Sequence, residues 1–377
     1  GHAHALIPTL KKQPLNAGWH FLRGDMGSIW EVMRKADAGK PESVPLWQDV
    51  TLPHCFNADD AVDPDKNYYQ GAGWYRTSID IQNPYAGGRT YLEFEGSGQA
   101  TRVYVYTTLV ATHIGGYDQW KADITDAVTQ FAKSEVCQKQ FKGRIPIAVR
   151  CDNTRNTQII PSDMSDFNLY GGLYRPVNLV YVPEVSLERI QIDPRPQGSR
   201  KGSVNLRVFT RAPQGKSGTV AVKLYAPDNK QIYAIDGKIV DSKSPQLDLE
   251  NIVVKNPQLW SPDHPALYTC EVTLTTGNNS MVTREQFGFR SFEFVKKGPF
   301  MLNGKRLLLR GTHRHEDHAG VGNAMTDEMI RTEMIQIKTM GANFIRLGHY
   351  QHSSRVLQLC DSLGILVWEE IPWCRGG

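Results

Sequence analysis

A multidomain chain, β first and α/β last, is the fold class that the sequence predicts. Residues 1–183 read as a jelly-roll-like β-sandwich and 184–295 as an immunoglobulin-like β-sandwich. Residues 296–377 read as the first three strands of a truncated (β/α)8 TIM barrel. Three observations carry this. Short alternating strands punctuated by Gly and Asn-Pro fill the first three hundred residues without intervening long helices, the signature of antiparallel sandwiches. The grammar then switches to strand and helix in alternation, which requires parallel strands with crossover helices. Finally, only 82 residues follow position 295, whereas a full barrel takes roughly 250.

The first block predicts strands at 75–81, 89–94, 102–106, 109–113, 145–150 and 177–182. Val103-Tyr104-Val105-Tyr106 shows the period of two expected of a sheet with one buried face. The second block predicts about seven strands, among them 204–210, 219–225, 232–235, 268–275 and 281–289, the size of an immunoglobulin-like sandwich. It holds one cysteine, Cys270, so no intersheet disulfide is expected. In the third block the apolar run Leu307-Leu308-Leu309 predicts a strand over 306–310, buried on both faces. Thr326 is placed to cap a helix with Asp327 and Glu328 in its first turn. Ile330, Met334 and Ile337 repeat at helical spacing, and Lys338 with Gly341 closes the helix. A strand over 343–347, a helix over 354–363 ended by Gly364, and a strand over 365–368 complete the pattern.

Composition excludes several functions. The 43 basic and 39 acidic residues leave a net charge of +4 with no basic stripe, so no nucleic-acid partner is expected. No apolar stretch approaches the roughly 20 residues of a membrane helix, so no membrane span is expected either. Six cysteines without CxxC pairing or regular spacing argue against a disulfide framework and a structural zinc site. The start, Gly1-His2-Ala3-His4, reads as a mature or engineered end with a leader already gone. A periplasmic or secreted location is therefore expected, with the cytoplasm compatible, and a homo-oligomer is open. Eight Trp and fifteen Tyr suit sugar handling, although large sandwich cores also use them.

Barrel enzymes carry their working side chains at the carboxyl ends of the strands. All three predicted strand ends here are densely polar. The first carries His313-Arg314-His315-Glu316-Asp317-His318, the second Arg346 and then His349-Tyr350, and the third Glu369-Glu370. Three such clusters at the same end of consecutive strands point to a site. A metal-dependent, amidohydrolase-like reading also fits His313-x-His315, because residues i and i+2 of a strand face one way. A third reading is a non-catalytic carbohydrate-binding module using Trp74, Tyr117 and Trp120 of the first sandwich.

The segment Arg310-Gly311-Thr312-His313-Arg314-His315-Glu316-Asp317-His318 resembles the RGVNRHEDH segment of glycoside hydrolase family 2, the β-galactosidase, β-glucuronidase and β-mannosidase group. So do Asn343-Phe344-Ile345-Arg346 with His349-Tyr350, and Cys360-Asp361-Ser362-Leu363-Gly364. Upstream, residues 69–76, 166–175, 256–262 and 287–290 match the family's sandwich motifs, in the family's domain order. The resemblance implies a retaining, exo-acting β-glycosidase working by double displacement on a carbohydrate substrate. The histidine-rich first strand end places β-galactoside first, with β-glucuronide and β-mannoside behind. It further implies that His315 and His349 hydrogen-bond sugar hydroxyls, that Asp166 reaches the sugar from a first-domain loop, and that Arg346 keeps the nucleophilic carboxylate ionised. Each also has a plainer reading: a polar strand end for either histidine, a turn former for Asp166, a structural ion pair for Arg346.

Retaining glycosidases need two carboxyl groups about 5–5.5 Å apart. Glu369 and Glu370 are adjacent on a strand and point to opposite faces, as do Glu316 and Asp317 if extended. The resemblance places acid/base and nucleophile on the fourth and seventh strands. Both catalytic glutamates are therefore expected after Gly377, none within residues 1–377, and this stretch alone is expected to be inactive. The large β-galactosidases place a magnesium-binding Glu and His where this chain has Cys374 and Gly376. No metal and no cofactor are therefore expected.

Overall fold

A computed structural model describes residues 12–62, 69–154, 170–294, 296–314, 321–348 and 352–369. The first sandwich packs a four-stranded sheet (Gln13–Pro14, Val177–Val182, Arg89–Phe94, Trp120–Asp123) on a six-stranded one (Gln48–Val50, Trp19–Arg23, Ala72–Ile79, Ile145–Asp152, Ala100–Val105, Thr108–Ile114). Alternation decides which side chains enter the core: Thr101, Val103 and Val105 are buried, while Arg102 and Tyr104 turn outward. Each fully buried Val or Leu contributes about 1.5–3 kcal/mol. Ile145–Asp152 is buried on both faces because the helix Ile29–Met33 covers its outer side, where Val32, Trp74 and Ala148 form a second small core. Two helices the sequence reading did not anticipate, Thr125–Ala132 and Glu135–Phe141, insert Val128, Phe131 and Cys137 into the main core.

The second sandwich has seven strands. Ser186–Pro196, Lys201–Arg211 and Gln246–Lys255 face Gln231–Asp241, Ser217–Tyr225, Tyr268–Thr276 and Asn279–Phe287. Val204, Leu206 and Val208 on one sheet meet Val220, Val222, Leu224, Cys270 and Val272 on the other. Cys270 is buried and free.

The barrel portion contains β1 (Gly311–Arg314), α1 (Asp327–Thr339), β2 (Phe344–Leu347), α2 (Ser354–Leu363) and β3 (Leu366–Glu369). The three strands form one parallel sheet in sequence order. Thr326 caps α1, its Oγ1 accepting from the Met329 amide at 3.2 Å. Ile330, Met334 and Ile337 are buried, as their spacing predicts. The strand expected over 306–310 is a correction. Residues 305–306 end a hairpin with Phe300–Leu302, and β1 begins only at Gly311. Leu307 and Leu309 pack partly against Trp260, Leu302 and Leu366, whereas Leu308 is 68% exposed. An apolar run reports burial, and here part of it lines the seam beneath the sheet rather than a strand.

That seam joins the second sandwich to the barrel. The Trp260 indole N–H donates to the Asp361 carbonyl at 2.9 Å, and Arg290 lies 4.3 Å over the Trp260 ring while reaching Asp361 at 3.2 Å. Lys338 Nζ donates to the carbonyls of Pro262 and Gly364 at 3.1 Å each. Gly364 has φ +79, and a Cβ there would run into the Pro262 carbonyl. The segments 256–262 and 360–364, recognisable separately in the sequence, are the two halves of one joint. Among the described residues no helix is long and apolar enough to cross a membrane.

Candidate active site

Cα partners across the parallel ladder are His313 with Arg346 and Arg346 with Trp368. Partners in register share a face of the sheet, so these three form one row. Ile345 and Leu347 alternate with Arg346 and are fully buried against α1 and α2. Arg346 therefore points away from the helices, to the side that a (β/α)8 barrel encloses, near the carboxyl end of its strand. The same register weakens the metal reading of His313. A divalent cation on that face would sit beside the Arg346 guanidinium, and like charges repel.

Asp166, His315 and His349 lie outside the described residues, as do Cys374 and Gly376. Gly377, after which both catalytic glutamates are expected, lies outside them too. The positions of acid/base and nucleophile therefore rest on the family resemblance and not on geometry. What the structure does place together are the flanks of two of the three sugar-binding candidates. Tyr170 directly follows the segment holding Asp166, and Val321 directly follows the segment holding His315. Tyr170 and Ala324 belong to one buried cluster with Cys55, Ala58, Tyr117 and Tyr174. Asn323 Nδ2 donates to the Tyr117 hydroxyl at 3.4 Å. Gly322 sits at φ +58, where a Cβ would meet the Tyr170 ring and the Cys55 sulfur. The Tyr170 carbonyl accepts from Gln99 Nε2 at 3.0 Å and the Gly171 amide donates to Asn57 Oδ1 at 3.1 Å. Tyr174 and Arg175 anchor to the carbonyls of Gly116 and Tyr117 at 2.6 and 2.9 Å. A first-sandwich segment and the stretch after β1 thus meet at a fixed, buried joint.

A cleft of about 450 Å³ runs along this joint, lined by His54, Phe56, Val321 and Ala324 among others. A larger one, about 1110 Å³, lies between the second sandwich and the outer side of α2, lined by Glu271, Arg284, Arg355 and Asp361. Among the described residues its lining includes none from the barrel strand ends. In the smaller cleft, burial pushes the His54 imidazole down to about 4, and its Nδ1 lies 2.6 Å from the Tyr75 hydroxyl. With the folded value below the unfolded 6.5, the neutral ring stabilises the fold fully above about pH 6.5, and that contribution is gone below about 4. Lowering the pH from 7 to 4 is therefore expected to remove about 3 kcal/mol through this group. Urea midpoints of wild type and His54→Gln across that range check it: equal pH slopes for the two proteins would refute the assignment.

Sequence reading overlooked an ionic network around a buried arginine. Arg314, 2% exposed, places Nε 2.9 Å from Glu333 Oε1 on α1 and a terminal nitrogen 2.8 Å from His352 Nδ1. Nothing local in the sequence announces it, since the partners lie 19 and 38 residues away.

Three family models match: the sugar binding domain of glycosyl hydrolases family 2 over 30–183, glycosyl hydrolases family 2 over 185–290, and its TIM barrel domain over 294–374. The chain belongs to glycosyl hydrolase family 2. Among solved relatives of this family 2 chain, apo β-glucuronidase 3 of Bacteroides uniformis superposes with a TM-score of 0.92 at 60% identity, covering 99% of this chain and 47% of that one. A β-glucuronidase of Parabacteroides merdae gives 0.93 at 54%, covering 97% and 46%. A β-galactosidase of Thermoanaerobacter pseudethanolicus is 28% identical over 95% of this chain and 46% of its own length. The chain spans about half the length of the relatives it matches.

Proposed function

We propose that the protein is a retaining exo-β-glucuronidase. The observation that carries this is the 60% identity to a β-glucuronidase over 99% of the chain, against 28% to a β-galactosidase. The β-galactoside preference read from the histidine-rich strand end gives way, because that strand-end motif belongs to the family as a whole and carries no choice of sugar. In this mechanism a carboxylate attacks the anomeric carbon while a carboxylic acid protonates the leaving oxygen, and water then hydrolyses the glycosyl-enzyme. The family resemblance assigns these two groups to a fourth and a seventh strand, after Gly377. Arg346, on the face away from the helices, is the cation that keeps the nucleophile ionised. His315 and His349 are assigned to the sugar hydroxyls, and Asp166, of the first sandwich, to a further contact with the sugar.

The test is a comparison of kcat/KM for nitrophenyl β-glucuronide, β-galactoside and β-mannoside with the full-length protein. A site that pairs the uronate carboxylate leaves buried polar groups unmet when that carboxylate is missing, so glucuronide is expected to lead by roughly 10³-fold or more. Galactoside hydrolysed as fast as glucuronide would sink the glucuronidase reading while leaving the glycosidase one in place.

A further inference from the structure

We infer that Arg314 and His352, backed by Glu333, act as a positioning device that fixes the backbone between the first two barrel strand ends. The inference rests on the glycosidase reading above. Three hydrogen bonds close a ring. The Gly348 amide donates to the Arg314 carbonyl at 2.9 Å. The Arg314 guanidinium reaches His352 Nδ1 at 2.8 Å, and His352 Nε2 lies 3.1 Å from the Gly348 carbonyl. A guanidinium only donates, so Nδ1 must accept, the ring is neutral, and its proton sits on Nε2, directed at Gly348. Glu333 holds the same guanidinium by two oxygens, at 2.9 and 3.3 Å. Arg314 is 2% exposed and His352 1%.

A buried charge of this kind is a poor source of stability compared with an apolar side chain of similar volume. Its value is geometric. His315 follows Arg314 directly, and His349 lies between Gly348 and His352, so the ring grips the chain on the near side of one proposed sugar ligand and on both sides of the other. Misplacing such groups by about 1 Å can cost roughly 10²-fold in rate.

Two substitutions separate positioning from packing. His352→Asn keeps an acceptor near the Nδ1 position but cannot reach Gly348; His352→Gln places an amide N–H near the Nε2 position. In the full-length protein, kcat/KM is measured on whichever nitrophenyl glycoside the wild type cleaves, below every variant's melting temperature. His352→Asn is expected to lose about 10- to 100-fold, in kcat as well as KM, and His352→Gln to recover most of it. Asn and Gln variants with equal kcat/KM would overturn the inference whatever their melting temperatures. Should His352→Asn fail to fold, Arg314→Lys replaces it: lysine keeps the charge and loses the fork, and the same loss is expected, with wild-type kcat/KM overturning the inference. A wild type that cleaves none of the glycosides overturns the glycosidase reading and this inference with it, whereas an active wild type with equally active variants overturns the inference alone.

Discussion

Arg346→Lys is expected to lower kcat of the full-length protein by about 10²-fold, the scale of removing one preorganised electrostatic contact, with KM roughly unchanged. Lysine retains the charge, so the loss isolates the planar, two-pronged contact that a guanidinium makes with a carboxylate. A fall in kcat without a matching change in KM marks an interaction stronger in the transition state than in the bound substrate. The fold should survive, because Ile345 and Leu347, not Arg346, carry the packing of β2 against the helices. Steady-state kinetics with the aryl β-glycoside that the full-length protein cleaves read the effect directly. Wild-type kinetics for the lysine variant would remove the role, and a raised KM at constant kcat would reassign Arg346 to substrate binding.

How much of this was legible beforehand follows from the range of the interactions involved. The helix α1 was readable to the residue at its start, because the Thr326 cap, the acidic first turn and the Ile330, Met334, Ile337 stripe are all local signals. The sandwich strands were readable from period-two alternation. Residues 306–310 misled because apolarity reports burial without reporting conformation: Leu307 and Leu309 serve the seam under the sheet, and the strand starts at Gly311. The facing of Arg346 followed once register was known, since its neighbours are both buried. Longer-range devices were not readable. The Tyr117–Asn323 contact bridges 206 residues, and the Arg314 network joins β1 to α1 and to the residues on either side of the stretch after β2. The choice of sugar was not readable either: the strand-end histidines mark a family that acts on several glycosides.

Trp260→Ala is expected to produce the largest stability loss, about 3–5 kcal/mol. The indole is fully buried and forms the centre of the joint between the second sandwich and the barrel, in a cluster with Leu302 and Leu366 and partly buried Leu307, Leu309 and Phe344. Two losses add. Truncation leaves a cavity that residues anchored to two different domains cannot jointly collapse into. It also strands the Asp361 carbonyl, which accepts the indole N–H at 2.9 Å, and removes the ring beneath the Arg290 guanidinium, 4.3 Å away. Trp260→Phe separates these contributions: most of the volume remains, the donor is lost, and the expected cost falls to about 1–2 kcal/mol. The second sandwich closes its own core with Val204, Val220, Val222 and Val272, so the alanine variant should weaken the barrel's attachment before it unfolds the sandwich. Urea unfolding followed by circular dichroism, with limited proteolysis between residues 290 and 311 as a local probe, measures both. An alanine variant within about 1 kcal/mol of wild type, with unchanged cleavage in that window, would show that the seam holds without its tryptophan, since such tolerance belongs to exposed positions.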